Sequence, residues 1–308
     1  MSPGRKFGTA FSRRRLLAGT VGAALAGPTL KAGGQPELDA LPEGLEISIM
    51  MWTYRPPGTN LMTQLERVKG LGYASVELVG RLEAQDNEAV AARLRELDLR
   101  VRDIDAGTHM YGPASALTHP NERTTVLKNF RRAIANARTF GTDTLLVLSG
   151  GQIEGRSREA MRRSLTEGLE RLAEIAEAEQ LRLIIEPLNR FDHKGYYLTS
   201  MYEACEIVRE VGSPRLKILF DIYHTQMEEG RLIRQIRDNL DVIGHFHVAD
   251  CPGRRHPGTG ELNYANIYRA IRAAGYRGSI GMEFLANEDH DRELIAMRRM
   301  LIDAWRAA

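Results

Sequence analysis

Four short, mostly apolar runs in the second half of the chain each carry an ionisable side chain late in the run. These are Glu186 in Leu183-Ile184-Ile185-Glu186, Asp221 in Ile218-Leu219-Phe220-Asp221, His247 in His245-Phe246-His247-Val248, and Glu283 in Ile280-Gly281-Met282-Glu283-Phe284. Continuously apolar runs are those of strands covered on both faces, so three carboxylates and an imidazole leave water together. Crowded without compensation, such carboxylates raise one another's pKa at a substantial cost in stability. One divalent cation among them removes the conflict. Oxygen donors with a single imidazole favour Mn²⁺ or Mg²⁺, and the imidazole also suits Co²⁺ or Zn²⁺.

The elements that must position these residues follow from the pattern around them. From Leu45 onward, short apolar runs alternate with longer amphipathic stretches eight times, which implies parallel strands joined by crossover helices. Strands are predicted at Leu45–Trp52, Ala74–Val79, Val101–Ala106, Thr144–Leu148, Leu183–Pro187, Leu216–Asp221, Val242–Val248 and Ser279–Phe284. Helical periodicity runs through Asn121–Phe140, Ser157–Glu179 and Arg292–Trp305, and Gly72, Gly141, Gly212 and Gly275 fit left-handed helix stops. Eight such pairs fit an α/β fold of the closed (β/α)₈ TIM barrel type, and no Gly-rich phosphate loop follows Trp52 as it would in a doubly wound sheet. In such a barrel the reactive groups project from the carboxyl ends of the strands, which is where the four residues stand. The stretch Thr108 to Pro120 is expected at the rim of that face.

Further residues point to the same place. His224 follows Asp221 by three positions, Arg254 follows His247 by seven and carries a fork for an oxyanion, and Trp52 ends the first strand where an aromatic ring can wall a pocket. His245 is assigned to the face opposite His247 and to a structural role.

The motifs Glu186-Pro187-Leu188-Asn189, Phe220-Asp221-Ile222-Tyr223-His224, His247-Val248-Ala249-Asp250 and Pro257-Gly258-Thr259-Gly260-Glu261-Leu262-Asn263-Tyr264 resemble those of the hydroxypyruvate isomerases in order and spacing. The wider resemblance is to xylose isomerase-like barrels and ketose 3-epimerases. It is specific from Leu183 to Phe284 and pattern-level from Leu45 to Leu148. The resemblance implies that Glu186, Asp221, His247 and Glu283 ligate the metal, and that Glu186 and Glu283 also transfer the proton. It implies that His224 contacts a hydroxyl of a small sugar or hydroxy-keto acid, whose carboxylate or other oxygen the guanidinium of Arg254 is suited to hold. The reaction would be proton movement beside a carbonyl through a cis-enediolate, as in hydroxypyruvate to tartronate semialdehyde. Hydroxypyruvate isomerases can carry Gln where His247 stands, whereas His is usual in the epimerases. Family members often place a His at the end of the third strand; this chain reads Arg102-Asp103-Ile104-Asp105 there, with His109 further along.

Three rivals share parts of this pattern: ketose 3-epimerisation, elimination or hydrolysis of a 3-keto-glycoside by the same enolising chemistry, and sugar binding without catalysis. The paired Glu residues argue against the last. The abasic-site endonucleases on a related barrel need more metal ligands and a basic face, neither of which is found.

At the amino terminus, Ser12-Arg13-Arg14-Arg15-Leu16-Leu17 precedes a small-residue apolar run ending at Ala24-Leu25-Ala26. This resembles a twin-arginine export signal over residues 1–26, and the run is too short and Gly/Ala-rich for a stable membrane span. Residues 27–44 read as a flexible linker and 45–308 as the catalytic barrel. The expected partner is the twin-arginine export machinery and the location periplasmic or extracellular, with self-association left open. Removing the leader takes away five basic residues and no acid, moving the formal charge from +2 to −3. A mature chain of that charge without a basic run lacks the footprint of nucleic-acid binding. Cys205 and Cys251 are expected to be unpaired.

Overall fold

Every ladder of the sheet is parallel, as the near-continuous apolar runs require. The computed structural model describes residues 39–82, 86–112 and 114–308. The leader and most of the linker expected from the sequence lie outside those residues. In chain order the elements are β1 (Leu45–Met50), α1 (Leu61–Gly70), β2 (Ser75–Glu77), α2 (Asn87–Glu96), β3 (Arg100–Val101), β4 (Ile104–Asp105), a short 3-10 turn (Pro120–Glu122) and α3 (Arg123–Phe140). They continue with β5 (Thr144–Val147), α4 (Arg158–Ala178), β6 (Arg182–Ile185), α5 (Met201–Val211), β7 (Leu216–Asp221), α6 (Ile222–Glu228), α7 (Leu232–Asn239), β8 (Ile243–Val248), α8 (Tyr264–Ala273), β9 (Gly278–Met282) and α9 (His290–Arg306).

The sheet order is β3-β2-β1-β9-β8-β7-β6-β5-β4. Its two ends, β3 and β4, are halves of the one strand expected at Val101–Ala106. Between them Arg102 donates its backbone N–H to Val76 and Leu78 donates to Asp103, after which Ala106 donates to Leu146. The chain thus transfers its pairing from β2 to β5 within a few residues, and the split strand joins the two ends of the sheet into a TIM barrel. That is why nine strands are found where eight were expected.

Local signals set the helix ends. Asn60, Asp86, Ser157, Ser200, Asn263 and Asp289 each cap a helix by accepting a backbone N–H. Gly141 and Gly212 end α3 and α5 at φ of 66° and 68°, a conformation that glycine adopts without a Cβ clash. The apolar faces of the helices pack on the outside of the barrel around Phe130, Leu169, Tyr268 and Trp305, all buried. Among the described residues no helix is long and apolar enough to cross a membrane. Cys205 and Cys251 are both buried and free.

Candidate active site

The carboxyl ends of four neighbouring strands, β6 to β9, bring Glu186, Asp221, His247 and Glu283 together. Their potential ligand atoms all lie within 4.8 Å of one another and all four residues are buried. His247 Nδ1 is 2.7 Å from Glu283 Oε2 and 3.9 Å from Glu186 Oε1. One Asp221 oxygen accepts the backbone N–H groups of Tyr223 and His224 at the start of α6, leaving Oδ2 turned toward Arg254 at 3.3 Å and His224 at 3.6 Å. Helix capping therefore fixes the rotamer of a carboxylate whose other oxygen serves the cluster.

Arg254 reaches in from the loop after β8. Asp250 shapes that loop by accepting the backbone N–H groups of Cys251, Gly258 and Leu262. A Cβ on Gly260 would stand 2.2 Å from the Cys251 carbonyl oxygen, so the close return of this loop needs glycine. The motif around Pro257–Tyr264 is thus an Arg254 mount. Its guanidinium lies 2.8 Å from Glu283 and 5.2 Å from the centre of the Trp52 ring. Trp52 itself donates Nε1–H to Glu283 Oε1 at 2.6 Å, more than the walling role expected of it. The Asn189 backbone N–H donates to His224 Nδ1, which places the His224 proton on Nε2, facing the cluster.

Electrostatics show what the cluster lacks. Burial pushes the Glu186 carboxyl well above the usual range, with Glu283 adding to it. Burial also pushes Asp221 up to about 6, against the pull of Arg254. For Glu283 burial acts upward as well, but Arg254 and His247 outweigh it and hold the group well below its ordinary value. Burial disfavours charge on His247, yet Glu77 and Glu283 hold its pKa well above 6.5. Glu186 Oε1, His247 Nδ1 and Glu283 Oε2 are buried without a well-aligned hydrogen bond among the described residues. Unsatisfied oxygen and imidazole donors converging at these distances fit a divalent cation.

Glu77, at the end of β2, is the part the sequence reading missed. Its Oε2 lies 2.6 Å from His247 Nε2, and its Oε1 accepts from Ser48 Oγ at 2.5 Å and lies 3.1 Å from His245 Nε2. A signal existed, since Glu77 is the one ionisable residue in the apolar run Ala74–Val79 and stands late in it, as each cluster residue does in its own. The assignment of His245 to the face opposite His247 is wrong. Side chains two apart on a strand share a face, and the two rings lie 4.9 Å apart, both against Glu77.

Met50, Trp52, Val79, Met110, Leu148 and Leu188 line a cavity of about 80 Å³ over Glu186 and Glu283. Met110 and Tyr111, from the stretch expected at the rim, stand at its edge, while His109 is exposed.

The model of the family described as xylose isomerase-like TIM barrel matches residues 65–301. The chain is 30% identical to hydroxypyruvate isomerase of Escherichia coli (strain K12) over 226 residues, 73% of this chain and 88% of that protein. It is 26% identical to 3-dehydro-D-guloside 4-epimerase of the same strain over 233 residues, 73% of this chain and 87% of the relative. Among solved structures, the fold is similar to an AP endonuclease, family 2, from Brucella melitensis, with TM-score 0.74 and 22% identity over 82% of this chain and 97% of that one. With relatives named for isomerisation and epimerisation along most of its length and a barrel of matching architecture, this chain belongs to the xylose isomerase-like TIM barrel family and is an isomerase.

Proposed function

We propose that the protein is a divalent-metal-dependent isomerase of a small hydroxy-keto acid, converting hydroxypyruvate to tartronate semialdehyde. The observation that carries this reading is the cluster itself: four buried donors from the ends of consecutive strands, with the carboxylates of Glu186 and Glu283 both lining the cavity. Glu186, Asp221, His247 and Glu283 would hold one Mn²⁺ or Mg²⁺. When bound, the cation supplies Lewis-acid polarisation of the carbonyl and neutralises the charge of the enediolate. Glu186 and Glu283 remove and return the proton beside that carbonyl. His224 Nε2–H donates to a substrate hydroxyl. Trp52 holds one Glu283 oxygen so that the other faces the cluster, and Arg254 keeps the developing anion company.

A cavity of about 80 Å³ is small beside the ~300–1,000 Å³ of drug-sized ligand sites, which supports a substrate of few carbons. The similarity to a relative named for 3-dehydro-D-guloside favours a second reading, epimerisation beside the ketone of a glycoside. Incubation with each candidate in D₂O, with metal-loaded and metal-stripped enzyme, separates the two by product. Metal-dependent deuterium incorporation next to the carbonyl of hydroxypyruvate is expected, and absence of exchange with every substrate would overturn enolisation. The Arg13-Arg14-Arg15 leader pattern supports export by the twin-arginine route. Unprocessed protein confined to the cytoplasm would refute it.

A further inference from the structure

His193 has no part in the reaction as set out above. It stands on the loop after β6, four residues from the Asn189 backbone that bonds His224, and it lines the cavity with Glu186 and Glu283. Its Nδ1 is 2.7 Å from the hydroxyl of Tyr111, a half-exposed residue of the opposite rim, and the two rings stack at 6.2 Å. On its inner side the ring meets His224 edge-on at 5.2 Å. His193 Nε2 is buried with no hydrogen-bond partner among the described residues.

Burial and then Arg254 hold the His193 pKa below its ordinary value, so the ring is neutral. A neutral imidazole has one donor and one acceptor nitrogen. His193 Nδ1 has two neighbours, the Tyr111 hydroxyl and Met110 Sδ at 3.1 Å; in the tautomer in which the phenol donates to Nδ1 the proton sits on Nε2, and a buried donor left without an acceptor is costly. Among the other polar groups of the cavity, the Arg254 guanidinium is held between Asp221 and Glu283 and His224 Nδ1 is held by Asn189, while His224 Nε2 is turned to the cluster.

We propose that His193, oriented by Tyr111, donates Nε2–H to the carboxylate of the keto-acid substrate, and that this contact favours acids over uncharged ketoses. It rests on the reading of the protein as a hydroxy-keto acid isomerase. The acceptor is assigned as a carboxylate because a charged acceptor makes the stronger bond and because the Arg254 guanidinium lines the same cavity. In so small a cavity the acid group of a three-carbon substrate cannot lie far from the ring. Tyr111 is a positioning residue that acts through His193.

The test uses the full-length, metal-loaded enzyme, with tartronate as an unreactive carboxylate probe in calorimetry and hydroxypyruvate as substrate. His193→Phe keeps a ring and loses the donor, whereas His193→Gln returns an amide N–H close to the Nε2 position. His193→Phe is expected to weaken tartronate binding and raise the hydroxypyruvate KM roughly ten- to hundredfold, with kcat changed far less. His193→Gln should recover most of the loss, and Tyr111→Phe should fall between. Wild-type affinity in His193→Phe overturns the contact, as does failure of a normally melting His193→Gln to recover binding. If hydroxypyruvate is turned over and His193→Phe is unaffected, this contact alone is wrong. If the wild type binds no tartronate and exchanges only ketoses, the substrate reading falls with it.

Discussion

His247 and Glu77 form a buried carboxylate–imidazole pair at 2.6 Å, and because a carboxylate only accepts, His247 donates through Nε2 and turns Nδ1 to the cluster. The partner beneath a metal-binding imidazole fixes both its tautomer and its orientation. Glu77 holds its own place through Ser48, which also bonds Ser279 at 2.8 Å, and through His245.

Glu77→Gln keeps the shape of this pair and removes its charge. Divalent-ion affinity measured by calorimetry is expected to drop about 10- to 100-fold while the melting temperature of the ion-free protein changes little. Unchanged affinity would show that the pair does not tune the cluster.

Gly281 leaves the room that Glu77 occupies. A Cβ there would stand 2.3 Å from Glu77 Oε1 and 2.7 Å from His247 Cδ2. Gly281→Ala is expected to destabilise the protein by about 1–3 kcal/mol and to weaken ion binding without altering any donor. Denaturant unfolding together with calorimetry checks both effects.

Replacing Glu186 or Glu283 by Gln removes one of the two proton carriers lining the cavity. Each variant should lose about 100-fold or more of the exchange rate in D₂O. Near-wild-type exchange in both would remove the proton-transfer assignment.

Ion binding to the folded cluster should also register as stability. At a free Mn²⁺ concentration about 100 times its Kd the protein gains about 2.7 kcal/mol, a rise in Tm of several degrees for a domain of this size. Chelator should reverse it, and a melting curve indifferent to both would count against the cation.

His290 gives the stability a pH dependence of its own. Burial, between Tyr54 and Phe284, lowers its pKa from 6.5 to about 4. Between those values the unfolded chain binds a proton that the folded chain refuses. The contribution is therefore complete above pH 6.5 and is lost as the pH falls toward 4, amounting to about 3 kcal/mol. Urea unfolding across this range should show that slope, and His290→Phe should flatten it.

The strands of the second half were legible because each is a mostly apolar run closed by an ionisable residue at or near its carboxyl end; β7 has the predicted bounds, Leu216–Asp221. The same rule applied to β2 finds Glu77, which lies outside the half of the chain that carries the motifs. The third strand was harder to read, because its break at Arg102-Asp103 is a change of hydrogen-bonding partner that no local pattern records. Trp52 and Arg254 were legible as pocket residues, but their bonds to Glu283 were not, since they depend on how two loops close over one carboxylate. His193 lies in a loop without periodicity, and only its contact with Tyr111, distant in sequence, distinguishes it.

The divided strand sets how the barrel tolerates change. Among the described residues β3 bonds only to β2 and β4 only to β5, so one wall position works as a joint between two flanks, while β6 to β9 remain paired strand to strand around the cluster. Lengthening or reshaping the chain beyond Ala106 would be taken up at this joint, next to the rim that bears Met110 and Tyr111. What the pocket admits can thus be retuned from one side of the barrel, while the arc that holds the acidic residues keeps its register.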